Sequence, residues 1–471
     1  MPVPVFRAPL SQGGVFFSAE KWVVCRPMND RKHELGNESV GRLLVRYSTP
    51  AMVAMFVNSL YNLVDTIFVG RGAGTLALAG LAVSFPIQMF ILAIAQVVGI
   101  GSASLISRSL GAGDTRRAER TAGTSFACVA TLSAALTGLG LLFLKPLLRL
   151  FGATPAVLPY GADYLSVIIG GSFFFAFAVS SNSIVRSEGN AKCAMVSMFI
   201  GAITNVILDP IFIFTLKMGV RGAAIATVLA NMCAFLYLCR YFLSGRSLLR
   251  IRREDLIPDL SVLPEVLRVG SASFTRVAAG SLLAIVLNNS VAHYGSDTHL
   301  AIIGVINRVM LFMMMPMFGL VQGLQPIVGF NYGAANYARV REAAYKAVMF
   351  ATVFSTCSFV VLMCFPVSLF RLFNKDAALV TEGAGILRVL ILFLPLVGFQ
   401  VVGASLFQAL GKAGAALFLS MSRQILFLVP LLLALPLYFD LAGIWVSFPV
   451  ADLLSTMVTA GWVLAEFRRL S

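Results

Sequence analysis

The chain has 471 residues, of which 58% are hydrophobic and only 12% charged, and its mean hydropathy is +0.88. Soluble domains carry about 25% charged residues, so composition alone excludes a water-soluble globular protein. The net charge of +15 invites a nucleic-acid reading, but the basic loops lack the interleaved aromatics a single-strand groove needs, and no nucleic-acid partner is expected.

About 20 apolar residues cross a bilayer as a helix. Between polar clusters the sequence predicts twelve such spans, at residues 47–70, 78–106, 121–144, 161–185, 193–215, 220–243, 266–293, 300–323, 343–370, 383–408, 413–438 and 442–465. Closed β-barrels would need alternating strands of about ten residues. These runs are continuous and longer, so the predicted class is an all-α integral membrane protein. The first 40 residues form a polar cytoplasmic arm without the apolar core of a signal peptide, and Met28 is an alternative translation start.

Lys and Arg gather in alternate loops, among them Arg42, Arg46, Arg108, Arg116, Arg117, Arg120, Arg250, Arg252 and Arg253. The opposite loops hold only Arg71, Lys145, Arg149, Lys217, Arg221, Arg371 and Lys375. Cytoplasmic loops are the basic ones, which places both termini in the cytoplasm. The cysteines lie mostly inside spans and are expected to pack as inert thiols. His33, His293 and His299 have no metal-ligand spacing.

Displaced by about 222 residues, the two halves of the chain come into register. Arg149-Leu150-Phe151 falls on Arg371-Leu372-Phe373, Gly111 on Gly333, Arg117 on Arg339, Gly189 on Gly411 and Arg46 on Arg268. Each half then holds six spans in the same orientation, a parallel repeat about an axis along the membrane normal. The predicted organisation is an arm (1–40), a first lobe (41–245), a cytoplasmic linker (246–263) and a second lobe (264–471). Two such lobes meet at a seam and alternate access by rocking about it.

The first span carries Asp65 and the fifth Asp209, at comparable depth in the outer half of the bilayer. The second half has an acid at neither matching position. A carboxylate at membrane depth costs several kcal/mol and persists where it faces a cavity or a partner. Asn205 and Asp209 are four residues apart, which stacks amide and carboxylate on one helix face. Pro210 frees a carbonyl one turn earlier. Such a set suits either a hard cation such as Na⁺ at Asp65 and Asp209, held through oxygens, or a proton. Thr227 offers a hydroxyl to the same pocket. Asp452, in the last span, reads as a polar helix-helix contact, and Arg276 and Arg308 as partners of acids or carbonyls. Phe173, Met314, Gln322 and Gln325 are candidates for a substrate cavity.

The first-span pattern P-x10-Y-N-x2-D from Pro50 to Asp65, the turn Arg186-Ser-Glu188-Gly189-Asn-Ala-Lys192, the fifth-span N-x3-D-P, and Gln322-Gly-Leu-Gln325-Pro-Ile-Val-Gly-Phe-Asn331-Tyr-Gly333 occur together here. In order and spacing they resemble the multidrug and toxic compound extrusion family, from about residue 40 to the end. The resemblance implies that Asp65 and Asp209 are paired cation-site acids, with Asn205, Thr227, Tyr61 and Asn182 as neutral partners and Pro50 as a bend of the first helix. Some relatives carry acids in the seventh and tenth spans, whereas here Glu265 and Glu382 precede them, so no second-lobe cation site is expected.

The expected function is a cation-coupled antiporter in a bacterial inner membrane, exporting amphipathic or cationic compounds in exchange for Na⁺ or H⁺. It needs membrane lipid, no cofactor and no catalytic residue, and a monomer is the expected unit. The alternatives are a flippase for lipid-linked saccharide precursors, or a membrane enzyme, for which the sequence offers no catalytic cluster.

Overall fold

A computed structural model describes residues 34–373 and 376–470. Expectations for the arm before Glu34, including Met28, Cys25 and His33, and for Lys375 lie outside them. Among the described residues the chain is helical, with no strand.

The twelve predicted spans are present. In the first half they are α1 (Val40–Ala73), α2 (Thr75–Gly111), α3 (Thr115–Leu142), α4 (Leu158–Gly170 and Ser172–Ser187), α5 (Ala191–Thr215) and α6 (Gly219–Leu243). In the second half they are α7 (Leu263–Tyr294), α8 (Asp297–Gly333), α9 (Tyr337–Cys364), α10 (Ala377–Leu390 and Leu394–Ala409), α11 (Ala413–Ala434) and α12 (Pro436–Arg469). Several helices run past their predicted limits: α8 reaches Gly333, and α7 and α10 begin at Leu263 and Ala377, so Glu265 and Glu382 lie inside them rather than before them. Two predicted ends are shortened. The ninth span stops at Cys364 rather than 370, because Pro366 starts a separate short helix to Phe373. The eleventh stops at Ala434, just before Pro436 opens α12.

The repeat is visible in local geometry. The fourth span of each half is bent, α4 by 53° and α10 by 51°. The third helix of each half starts alike: Asp114 accepts from Arg117 N at 2.9 Å, and Asn336 from Arg339 N at 3.3 Å. The residue before each cap has positive φ, 80° at Gly113 and 56° at Ala335. Only the first half meets that demand with glycine, so the second stores backbone strain at Ala335. Gly189 and Gly411, matched by the repeat, both have positive φ (79° and 75°).

The halves touch along α1, α2, α7 and α8, with α1 on α8 and α2 on both α7 and α8. Their close approaches lie at the end of the bundle that carries Leu35 and Arg469, called here the terminal end. Ser48 Oγ donates to Leu320 O, Ser104 Oγ to Gln408 O and Gln325 Nε2 to Ile100 O. Glycines bring bare backbones together: a Cβ on Gly101 would strike Val266 O, and one on Gly270 would strike Val97 O. Further along the helices Phe56 meets Phe312 and Phe90 meets Phe274, with centroids 5.2 and 5.9 Å apart. Past those rings, no hydrogen bond or ring contact joins the halves among the described residues. The hydrogen-bonded and ring contacts across the seam thus lie toward the terminal end.

The linker is docked on the first half rather than slack. Glu188, fully buried, accepts from Ser247 Oγ and Leu248 N, Glu119 from Arg250 N, and Asp255 from Arg116 Nη1. Asp259 N donates to Thr124 Oγ1, and hydrogen bonds from Ser261 hold the Asp259 carboxyl below its ordinary range.

Candidate cation site in the first half

Asp65 lies on α1, eight residues before its C-terminal end, and Asp209 lies near the end of α5, where Pro210 removes a donor and a π-helical turn (Ile211–Thr215) follows. Breaks of this kind recur at functional sites. α1 packs along α5, and the Asp65 and Asp209 carboxyl groups stand within hydrogen-bonding reach of each other. Asp209 is 0% exposed and Asn205 2%.

The neutral partners assemble as their spacing demands. Asn205 Nδ2 donates to Asp209 Oδ1 at 3.2 Å and to Thr227 Oγ1 at 3.3 Å. Asn231 Nδ2 closes the α6 side by donating to Thr227 O at 2.9 Å. Tyr61, one turn before Asp65, lies near both acids. Two residues join the cluster that sequence reading did not single out: Tyr164 of α4, close to Asp65, Tyr61 and Asp209, and Gln88 of α2, close to the Tyr164 hydroxyl.

Three oxygens here, Asp65 Oδ1, Asp209 Oδ2 and Asn205 Oδ1, are buried without a partner. An orphaned buried acceptor costs about 1–3 kcal/mol, more when charged. Two carboxylates side by side away from water also repel. One shared proton, or one small cation with oxygen ligands, relieves both penalties. Among the described residues no cluster of three or more His, Cys, Asp or Glu could hold a metal by side-chain type, so any cation here takes mixed carboxyl, amide and hydroxyl oxygens.

Other candidates lie elsewhere. Asn182 is not brought to the acids: its amide donates to Ala194 O (2.7 Å) and Ser197 Oγ (2.8 Å), and its oxygen accepts from Arg186, toward the terminal end of α4. Pro50 sits inside α1, which runs unbroken past it. Phe173 packs among Phe174, Phe177 and Phe235. Met314 packs on the second-half core and Gln325 belongs to the seam, whereas Gln322 keeps a buried Oε1 without a partner.

In the second half, Asp452 is a helix-helix contact: its Oδ1 takes Arg423 Nε at 2.5 Å, and its carbonyl takes Gln400 Nε2 at 2.7 Å. Arg423 is the second residue of the π-helical stretch of α11 (Ser422–Leu428). The expectation that Arg276 and Arg308 pair with acids or carbonyls is corrected: neither has a partner among the described residues, Arg308 being exposed and Arg276 half-buried. The six described cysteines form no disulfide.

A family model described as MatE matches the chain twice, at residues 50–211 and 273–433. The second match begins 223 residues after the first and ends 222 after it, the displacement read from the sequence. Among curated proteins the chain is similar to the multidrug export protein MepA of Staphylococcus haemolyticus (25% identity, covering 88% of this chain and 91% of that protein). It is also similar to the FAD transporter of Shewanella oneidensis (28% identity, 93% and 97%). Among solved structures it resembles a multidrug resistance MATE family transporter of the MOP superfamily in an outward-facing conformation, with TM-score 0.87, 29% identity and coverage of 93% and 98%. A MATE structure in a bent conformation gives 0.88 at 28% identity, with the same coverage.

Proposed function

The chain belongs to the MatE family, and on that premise we propose that it exports amphipathic, often cationic, organic compounds in exchange for Na⁺ or H⁺ bound at Asp65 and Asp209. The observation that carries this reading is the trio of orphaned oxygens around two adjacent carboxyl groups, an arrangement that needs one positive charge to be at rest. Asn205, Thr227 and Tyr61 orient the acids. Cation loading changes charge and local shape in the first half, so ion and drug favour different states of the two-lobed assembly. A ligand shifts such an equilibrium only by its differential affinity.

The membrane is a bacterial cytoplasmic membrane, with the basic terminal end inside. That assignment rests on the charge bias of the loops. The multidrug export proteins among the relatives support the drug class. A monomer suffices, since both lobes come from one chain.

One observation favours a second reading of the cargo. Arg276 is half-buried in the second half with no acid beside it, which suits a solute with an anionic group, as the FAD transporter among the relatives suggests. Equilibrium binding separates the readings. Cationic dye binding to the purified protein, titrated against Na⁺ and then against pH, should show competition that is lost in Asp65→Asn. Preferential binding of a dinucleotide, weakened by Arg276→Gln, would favour the second reading.

A further inference from the structure

Besides the Ser48, Ser104 and Gln325 side-chain hydrogen bonds to carbonyls, the seam at the terminal end is largely bare backbone on bare backbone. Gly101 and Gly270 face Val266 O and Val97 O, while Gly111 and Gly333 face Phe330 O and Arg108 O, in reciprocal pairs. Such contacts give close dispersion packing but little that is specific or switchable. At the mouth of this seam stands one carboxylate. One oxygen of Glu265, at the start of α7, lies 2.8 Å from Arg108 Nη2 as an ion pair, and the other accepts a hydrogen bond from Arg117 Nη2 at 2.9 Å. Both arginines belong to the first half and the glutamate to the second.

The repeat supplies a counterpart. Arg339, the match of Arg117, crosses the seam in the opposite sense, donating from Nη2 to Glu38 O at 2.6 Å while its Nε is held within its own half by Asn331 Oδ1 at 3.0 Å. Each half therefore sends an arginine from the start of its third helix to the chain leading into, or opening, the other half's first helix. The two straps differ chemically. Arg339 reaches a backbone carbonyl across the seam, whereas Arg117 and Arg108 reach a charge.

We propose that Glu265, held by Arg108 and Arg117, is the bolt that keeps the terminal end closed, and that its release is an obligatory step whenever the halves reopen there. The inference rests on the alternating-access reading of the fold. Arg108 makes the bolt consequential: only 16% of its side chain is exposed, it lies against Gly411, and Glu265 is the sole carboxylate paired with it among the described residues. Separating the halves strips that guanidinium of its counter-charge, so the contact resists opening more than a surface pair would. Arg117, about half exposed, holds the second carboxylate oxygen and fixes the rotamer.

Hydrogen–deuterium exchange on the full chain in lipid nanodiscs tests the bolt. Glu265→Gln should raise uptake several-fold, about tenfold at most for one charge-assisted hydrogen bond and one ion pair of this exposure, in peptides spanning 97–111 and 263–273. Uptake should fall at the opposite ends, in peptides spanning 60–78 and 285–300, because that end closes as the terminal end opens. Glu265→Asp should give a smaller change in the same sense. The swap Arg117→Glu with Glu265→Arg should restore protection relative to Glu265→Arg alone. Unchanged uptake in Glu265→Gln, or an equal rise at both ends, would overturn the proposal, since the second result signals general loosening. Exchange reads the conformational balance whatever is transported, so failure of the cargo assignment would show separately, as absent drug binding in a wild type with normal exchange.

Discussion

Asn205 donates its side-chain amide to Asp209 Oδ1 at 3.2 Å, one turn below it on α5. With Asp209 fully buried, this is the donor that sets the orientation of its carboxyl group. Asn205→Leu keeps the volume and removes the donor. The cation concentration for half-maximal efflux should rise about tenfold, the effect of losing one hydrogen bond to a charged buried group. Cation titration of efflux rate in vesicles reads this directly.

Thr227 accepts from the same amide at 3.3 Å. Thr227→Val preserves shape and removes the hydroxyl, so the same titration should shift about two- to five-fold, as for a weaker neutral bond. A shift larger than that of Asn205→Leu would mean that Thr227 contacts the cation itself.

Arg423 and Asp452 form a mostly buried pair, with 35% and 4% of their side chains exposed. Arg423→Met leaves a carboxylate without its partner. It should cost about 2–3 kcal/mol in thermal unfolding, below the 3–5 kcal/mol of fully enclosed pairs because Arg423 reaches solvent. Arg423→Met combined with Asp452→Leu should recover most of that loss.

A Cβ on Gly101 would strike the Val266 carbonyl, whereas one on Gly138 of α3 meets nothing within 4 Å. Gly101→Ala should destabilise the protein by about 1–3 kcal/mol through overpacking. Gly138→Ala should be neutral or stabilising by up to about 1 kcal/mol from helix propensity. Melting of the two variants side by side compares them.

Hydrogen bonds from Ser261, two residues on within the linker turn, hold the Asp259 carboxyl below its ordinary value of 3.8. A depressed carboxylate stabilises this turn above its unfolded-state value, and that contribution fades as pH falls through the folded one. Exchange protection of residues 253–262 should therefore hold down to the ordinary range and decline only below it. Asp259→Asn should remove this part of the pH dependence.

Much of this architecture is legible because membrane helices announce themselves by length and polarity. The spans, the repeat and the depth of Asp65 and Asp209 all come from counting residues. Spacing of four along one helix also revealed Asn205 with Asp209. What stayed hidden required contact between helices. Tyr164 and Gln88 share no helix with the acids, although Tyr164, six residues into α4, lies at about the depth of Asp209, and matching polar residues by depth would have found it. Arg423 and Asp452 are 29 residues apart on neighbouring helices, with no local pattern to join them. Asn182 misled because motif spacing carries no depth, and its amide is taken up by Ala194, Ser197 and Arg186. The ends at Cys364 and Ala434 were set by Pro366 and Pro436, signals overridden by the hydropathy of the residues beyond.

The most direct test is drug efflux from sealed vesicles under an imposed Na⁺ gradient and then under a pH gradient, comparing wild type with Asp65→Asn, Asp209→Asn and, as a control outside the site, Asp452→Asn. Wild type and Asp452→Asn should accelerate efflux under one of the two gradients, and both first-half variants should lose that acceleration at equal protein levels. Gradient-driven efflux at the wild-type rate in Asp209→Asn would contradict the assignment of the acid pair as the coupling site.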